Sequence, residues 1–199
     1  MNAKHILIQF LIAISAAALA ASCNPYQQLE PMQNMRKDLN YPLEVKYAAL
    51  PHEVEIAYVD EGSGDQTILF IHGLGSYLRA WEKNVNGLKS DYRVIAIDLP
   101  GYGKSSKQPH DGSMTHYASV ITQFMHALEL ESVVLAGHSM GGQIAMVTAL
   151  QYPDKVNKLI LASPAGFERF SEGQKAWFRD VMSLRSVKLT TAGAIQTNA

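Results

Sequence analysis

From Leu43 onward the chain alternates between two kinds of apolar spelling. One is short and continuous: Thr67-Ile-Leu-Phe-Ile71, Arg93-Val-Ile-Ala-Ile97, Ser132-Val-Val-Leu-Ala136 and Lys158-Leu-Ile-Leu-Ala162. Runs of this kind without alternation suit strands buried on both faces, as in a parallel sheet. Val54-Glu-Ile-Ala-Tyr-Val59 alternates apolar with polar residues instead, the mark of a half-buried strand, and Gly62-Ser-Gly64 then turns the chain. The other spelling is helical. Trp81, Val85 and Leu88 fall at i, i+4 and i+7, and Tyr117, Val120, Ile121, Phe124 and Leu128 form a longer stripe. Ile144, Val147 and Leu150 form another, stopped by Tyr152-Pro153. Strands alternating with helices of this length predict crossover units and an open, mostly parallel α/β sheet with helices on both faces. Ligands of such sheets bind at the carboxyl ends of the strands. His72-Gly73, the segment from Asp98 to Ser105, and Ser139 all fall there.

The two ends of the chain read differently. Lys4 and His5 precede an apolar run from Ile6 to Ala21, and small residues lead to Cys23, the only cysteine. A basic start, a short apolar stretch and small residues describe a secretory signal, here 1–22. The run is shorter than the about 20 residues a bilayer-spanning helix needs. Leu19-Ala-Ala-Ser-Cys23 resembles the lipobox of bacterial lipoproteins, with Ala20 where that pattern prefers leucine. The resemblance implies cleavage before Cys23, lipid on its thiol, and a place on the periplasmic or outer face of a bacterial envelope. An ordinary signal peptide and an uncleaved anchor are the other readings. Residues 23–42 are polar, contain prolines and show no sustained period, so they read as a tether. After Ser163-Pro-Ala-Gly166 the character changes again. Ser171-Glu-Gly-Gln174 spells a capping box, and Trp177, Val181 and Leu184 continue at helical spacing. This piece, 167–199, reads as the start of a helical lid over the strand ends, the alternative being one more helix packed on the sheet.

Composition narrows the field. With 199 residues and 47% hydrophobic content, the chain can bury one sizeable core, expected over 43–166. A net charge of −1 and the absence of long basic runs argue against a nucleic-acid partner. Dinucleotide and zinc motifs are missing. If Cys23 carries lipid, no thiol is left for a disulfide.

The chemistry gathers around Val134-Leu-Ala-Gly-His-Ser-Met-Gly-Gly-Gln143. Gly137 and Gly141 flank Ser139 in a G-x-S-x-G pattern, with a buried-type strand before it and a helix after it. Upstream stand His72-Gly-Leu-Gly-Ser76 and Asp98-Leu-Pro-Gly-Tyr-Gly-Lys-Ser105. In this order the motifs resemble the nucleophile elbow, the HGxG oxyanion loop and the D-x-P-G-x-G-x-S segment of serine-nucleophile α/β-hydrolases, the branch of esterases, lipases and carbon–carbon bond hydrolases. The resemblance covers roughly residues 43 to 190. It implies Ser139 as nucleophile and the amides of Leu74 and Met140 as donors to the oxyanion. It implies a small-molecule ester-like substrate and no metal or organic cofactor. Gly73, Gly75, Gly137, Gly141 and Gly142 are expected to keep the turns tight and the backbone close to substrate. Asp98 is expected to bind backbone amides of the Gly101–Ser105 turn, and His72 to shape the oxyanion loop. His138 is expected to point away from the serine hydroxyl, buried and hydrogen-bonded. His110, His116 and His126 are expected to be ordinary solvated residues. Phe167, Phe170, Trp177 and Phe178 are candidates for an apolar acyl-side pocket.

A serine hydroxyl needs a base to take its proton. In the family that base is a histidine placed after the serine and an acid in the chain, and no histidine follows Ser139 here. Asp154, Glu168, Glu172 and Asp180 are the acids that do follow, none at the end of a later strand. The expectation is therefore an N-terminal portion of a longer hydrolase, its last strands missing, ending inside the lid. The Lys158–Ala162 strand would then be an uncovered apolar edge. Within the fold, a carbon–carbon bond hydrolase or a lactonase shares every motif. From another class, a non-catalytic binding protein built on a truncated hydrolase accounts for the absent histidine. Serine at the elbow excludes the usual haloalkane dehalogenases and epoxide hydrolases, which place aspartate there.

Overall fold

The computed structural model describes residue 37 and residues 39–181, with the side chains of 177–181 excepted. The signal segment, Cys23, most of the tether and the chain beyond Val181 lie outside the described residues. The described strands are β1 (Lys46–Ala49), β2 (Glu55–Glu61), β3 (Thr67–Ile71), β4 (Arg93–Ile97), β5 (Val133–His138) and β6 (Val156–Ala162). The helices are α1 (Glu82–Leu88), α2 (Met114–Ala127), α3 (Met140–Gln151) and α4 (Glu172–Val181), with 3₁₀ turns at Leu78–Trp81 and Pro153–Lys155.

The sheet runs β1-β2-β4-β3-β5-β6. β3, β4, β5 and β6 pair in parallel, and the antiparallel β1 and β2 extend the sheet beyond β4. The four short apolar runs from Thr67 onward all lie on parallel strands, and β3, β4 and β5 are covered on both faces. Two cores do this. On one face Leu69, Ile71, Ile95, Ile97 and Leu135 pack against Ile121, Phe124 and Met125 of α2 and Ile144 and Ala145 of α3. On the other, Phe70, Val94, Ala96 and Val134 pack against Leu78 and Val85, with Trp81 and Leu88 at the margin. Burying a side chain such as Phe124 or Ile121 contributes roughly 2 kcal/mol, and both are fully inaccessible. α2 starts where Ser113 caps it, its hydroxyl accepting from the His116 amide.

Three details differ from the sequence reading. β1 was not expected; Lys46-Tyr-Ala-Ala49 buries only Ala48 and carries no period of its own. Of the apolar stripe assigned to α3, Ile144 is buried as expected, whereas Leu150 is 82% exposed. The face that α3 buries is Gly141, Ile144, Ala145 and Thr148, where glycine lets the helix sit against β3. The tether, drawn to residue 42, gives way earlier: Tyr41 packs against the second core beside Leu43 and Val45.

β6 closes one side of the sheet. Both of its faces are open, with Leu159, Ile160 and Leu161 at 38%, 50% and 36% exposure. The capping box at the head of α4 forms in both directions: Gln174 N–H donates to Ser171 Oγ, and Ser171 N–H donates to Gln174 Oε1.

Candidate active site

The chain passes from β3 to β4 on one side and later to β5 on the other, so the strand order reverses around β3. A crevice opens at such a switch point, beyond the carboxyl ends of the strands. Ile71 and Gly137 are register partners across β3 and β5. The segments beginning at His72 and at Ser139 therefore leave the sheet side by side.

Ser139 holds φ 52 and ψ −120, a conformation that costs a non-glycine residue about 1–3 kcal/mol. The surroundings fix it. Its N–H donates to Ala162 O at the end of β6, and its carbonyl accepts from the amides of Gly142, Gln143 and Ala165. The turn is so tight that only small residues fit. A Cβ on Gly137 would lie 2.3 Å from Gly141 O, and one on Gly141 would lie 2.3 Å from Ile71 O and 2.5 Å from His72 O. On Gly142 the collision would be with Pro164, 2.7 Å away. Ser139 thus occupies the N-cap of α3 without using its side chain to cap it. Among the described residues its hydroxyl makes no hydrogen bond.

The loop from His72 to Tyr77 is pinned at both ends to the turn after β4. His72 is fully buried; its Nε2 accepts from Leu99 N–H at 3.0 Å, and its Nδ1–H donates to Gly73 O at 2.8 Å. With one nitrogen accepting and the other donating, the ring is neutral, and burial pushes its pKa below the ordinary histidine value. Asp98, also fully buried, takes the other end: Leu78 N–H donates to its Oδ1 at 2.7 Å. Its Oδ2 accepts from Lys104 N–H in the following turn and from the Tyr41 hydroxyl, at 2.7 and 2.5 Å. Gly73 approaches the elbow closely enough that a Cβ there would stand 3.3 Å from Ser139 Cβ.

Leu74, Ser139 and Met140 line one cleft of about 710 Å³, together with Gln143, Ala165, Gly166, Glu168, Phe170 and Lys175. The segment leading into α4 thus borders the strand ends. The amides of Leu74 and Met140 have no acceptor among the described residues. Helix α3 begins at Met140, so its N-terminal dipole is directed at the same cleft. Phe167 and Phe170 are 68% and 42% exposed. The side chains of Trp177 and Phe178 lie outside the described residues.

His138 departs from expectation. It does face away from the serine, into a second hollow of about 300 Å³ with His72, Gly73, Ala80, Trp81 and Ala162. Yet it is exposed rather than buried, and no hydrogen bond holds it among the described residues. The reason is its place at the end of β5, next to β6, where no described element covers that face. His110 and His116 also differ from free solvated residues: their rings stack 4.8 Å apart, half-buried, and His110 Nδ1 accepts from Gly112 N–H. Burial, and secondarily His116, lowers the pKa of His110. Tyr41 is the contact that sequence reasoning missed, an aromatic residue in a polar stretch without periodicity.

A strained serine between a buried parallel strand and a helix, beside a glycine-rich loop at a sheet's switch point, defines a class of α/β proteins built around an elbow. The family of the alpha/beta hydrolase fold matches over residues 66–193, and the chain belongs to it. Among curated relatives, the dihydrolipoyllysine-residue acetyltransferase component of an acetoin cleaving system from Cupriavidus necator is 35% identical over 136 residues. That match covers 68% of this chain and 36% of the relative. A 2-hydroxy-6-oxononadienedioate/2-hydroxy-6-oxononatrienedioate hydrolase from Paraburkholderia phymatum is 38% identical over 114 residues, covering 55% of this chain and 40% of that enzyme. Among solved structures, a thermophilic esterase from Thermogutta terrifontis superposes with a TM-score of 0.65 at 28% identity, covering 74% of this chain and 54% of the esterase. The chain therefore spans less than half the length of these curated relatives and about half that of the esterase.

Proposed function

We propose that the chain supplies the nucleophile and oxyanion half of a serine hydrolase that acts on carboxylic esters. The observation that supports this best is a convergence. A serine held at φ 52, its hydroxyl unbonded, shares one cleft with two amides that have no acceptor among the described residues. In this reading Ser139 Oγ attacks the ester carbonyl carbon while a base removes its proton. The carbonyl oxygen takes up the negative charge, stabilised in this reading by the amides of Leu74 and Met140, which line the same cleft. The C–O bond to the alcohol then breaks, and the alcohol leaves with the proton held by the base. Water hydrolyses the acyl-Ser139 ester by the same steps in reverse order. In this reading the base is a histidine oriented by an acid, and no histidine follows Ser139 within these 199 residues. Cys23 carries lipid in this proposal and holds the domain at a bacterial envelope membrane. Its support is the signal-like run and the small residues before the cysteine.

The 38% identity to the Paraburkholderia phymatum enzyme favours a second reading within the fold, hydrolysis of a carbon–carbon bond by the same machinery. The absent histidine favours a reading of another class, a binding protein without turnover. Extending the reading frame past Ala199 separates them. An acid and a histidine in the family's order, with p-nitrophenyl ester turnover abolished by Ser139→Ala, support the esterase. A stop codon at that point overturns it for this chain. The 199-residue chain by itself is expected to show negligible turnover. Fluorophosphonate labelling of that chain, lost in Ser139→Ala, would contradict this. Retention in the membrane fraction, lost in Cys23→Ala, tests the anchor.

A further inference from the structure

Tyr41 sits 57 positions before Asp98 in sequence, yet its hydroxyl reaches that buried carboxylate. The same carboxylate accepts from Leu78 N–H, the first amide after the glycine-rich loop. Asp98 has no cation against it among the described residues; three neutral donors satisfy it, namely Tyr41 O–H, Leu78 N–H and Lys104 N–H. Glycine at 103 keeps room for the arrangement, because a Cβ there would stand 2.0 Å from Asp98 Oδ2. The Tyr41 ring itself makes two contacts. It packs 5.5 Å from the ring of Tyr77, the last residue of the loop, and Lys104 Nζ lies over it, 4.5 Å from its centroid. Burial and the neighbouring carboxylate raise the phenol pKa, so the hydroxyl remains a donor throughout the working range.

We propose that Tyr41 is a positioning residue for the loop that bears the Leu74 amide. His72 anchors the start of that loop and Asp98 its end, with Leu74 between the two anchors. Tyr41 stiffens the second anchor in two ways: its hydroxyl completes the Asp98 shell, and its ring presses on Tyr77. A buried carboxylate that loses a donor must find another or move, and the group tied to it most directly is Leu78 N–H. The end of the presumed tether is thus part of the scaffold that aims the oxyanion donor. That last step rests on the hydrolase reading, whereas the ordering of the loop does not.

The test is amide hydrogen exchange on the full chain, comparing wild type with Tyr41→Phe and Tyr41→Ala. Phenylalanine keeps the ring contacts and removes the donor. In both variants, exchange of the hydrogen-bonded Ser76 and Leu78 amides is expected to rise about tenfold, the size of one lost hydrogen bond to a charged group, with β5 and α3 unchanged. Wild-type exchange in Tyr41→Phe would overturn the proposal, since the hydroxyl would then do nothing. A rise of equal size throughout the sheet would also overturn it, as that is the signature of general destabilisation. In the frame-extended protein, Tyr41→Phe is expected to lower kcat about tenfold with little change in KM. A failure of the wild-type extended protein to turn over esters counts against the hydrolase reading, and exchange, measured without substrate, still decides on Tyr41.

Discussion

Two glycine-to-alanine substitutions separate steric demand from helix propensity, and they are expected to act in opposite directions. In Gly141→Ala the new methyl group would stand 2.3 Å from Ile71 O and 2.5 Å from His72 O. That is about 1 Å inside van der Waals contact, and neither partner can rotate away, because both are backbone at the end of a central strand. Relief requires α3 to withdraw from β3, which opens the contacts of Ile144 and Ala145 with the sheet. Overpacking of this kind costs about 1–3 kcal/mol, and with two backbone collisions the upper end applies. At 2–4 °C per kcal/mol, Tm should fall by about 6–12 °C. Gly87 is the control. It lies exposed within α1, and a Cβ there meets nothing within 4 Å. Gly87→Ala should therefore stabilise by about 0.5–1 kcal/mol through helix propensity and a less flexible unfolded chain. Urea unfolding followed by circular dichroism reads both, with the midpoint moving and the slope unchanged. A Gly141→Ala protein within about 0.5 kcal/mol of wild type would refute the reasoning that close backbone approach, rather than turn flexibility, selects glycine at the elbow.

Other outcomes follow from the same geometry. Ser139→Gly is expected to raise stability by about 1 kcal/mol, because glycine accepts φ 52 and ψ −120 without strain; an unchanged or lower urea midpoint would count against strain at the elbow. His72 has a folded-state pKa lowered by burial, so between pH 7 and 5.5 the unfolded chain binds more protons and stability should fall as pH falls. The slope should not exceed about 1.4 kcal/mol per pH unit for this residue, and a urea midpoint that is flat across that window would contradict the neutral, buried assignment. Ile160→Lys, placed at the 50% exposed centre of β6, should slow aggregation in light scattering at a stability cost of under about 0.5 kcal/mol. A large loss of stability would mean that the side chain is buried.

Much of this protein can be read before any coordinates. Thr67–Ile71 and Arg93–Ile97 are strands end to end as spelled, because a strand covered on both faces has no choice but to be apolar throughout. The elbow is legible for a related reason: its glycines answer to collisions a few residues away, so they appear as a local motif. What the sequence could not supply are facts that depend on which surfaces meet. β1 is short, mostly exposed and held by its pairing with β2, so it leaves no period to read. The buried face of α3 runs through Gly141 and Thr148 rather than Leu150, since close approach to β3 outweighs side-chain hydrophobicity there. His138 is exposed because of where β5 stands in the sheet. Tyr41 belongs to the loop scaffold because folding brings it against Asp98. Local periodicity and turn chemistry determined the class of fold and the place of Ser139. The tertiary structure decided which distant groups hold the loop beside it, because hydrogen bonds across such separations leave no spacing in the chain.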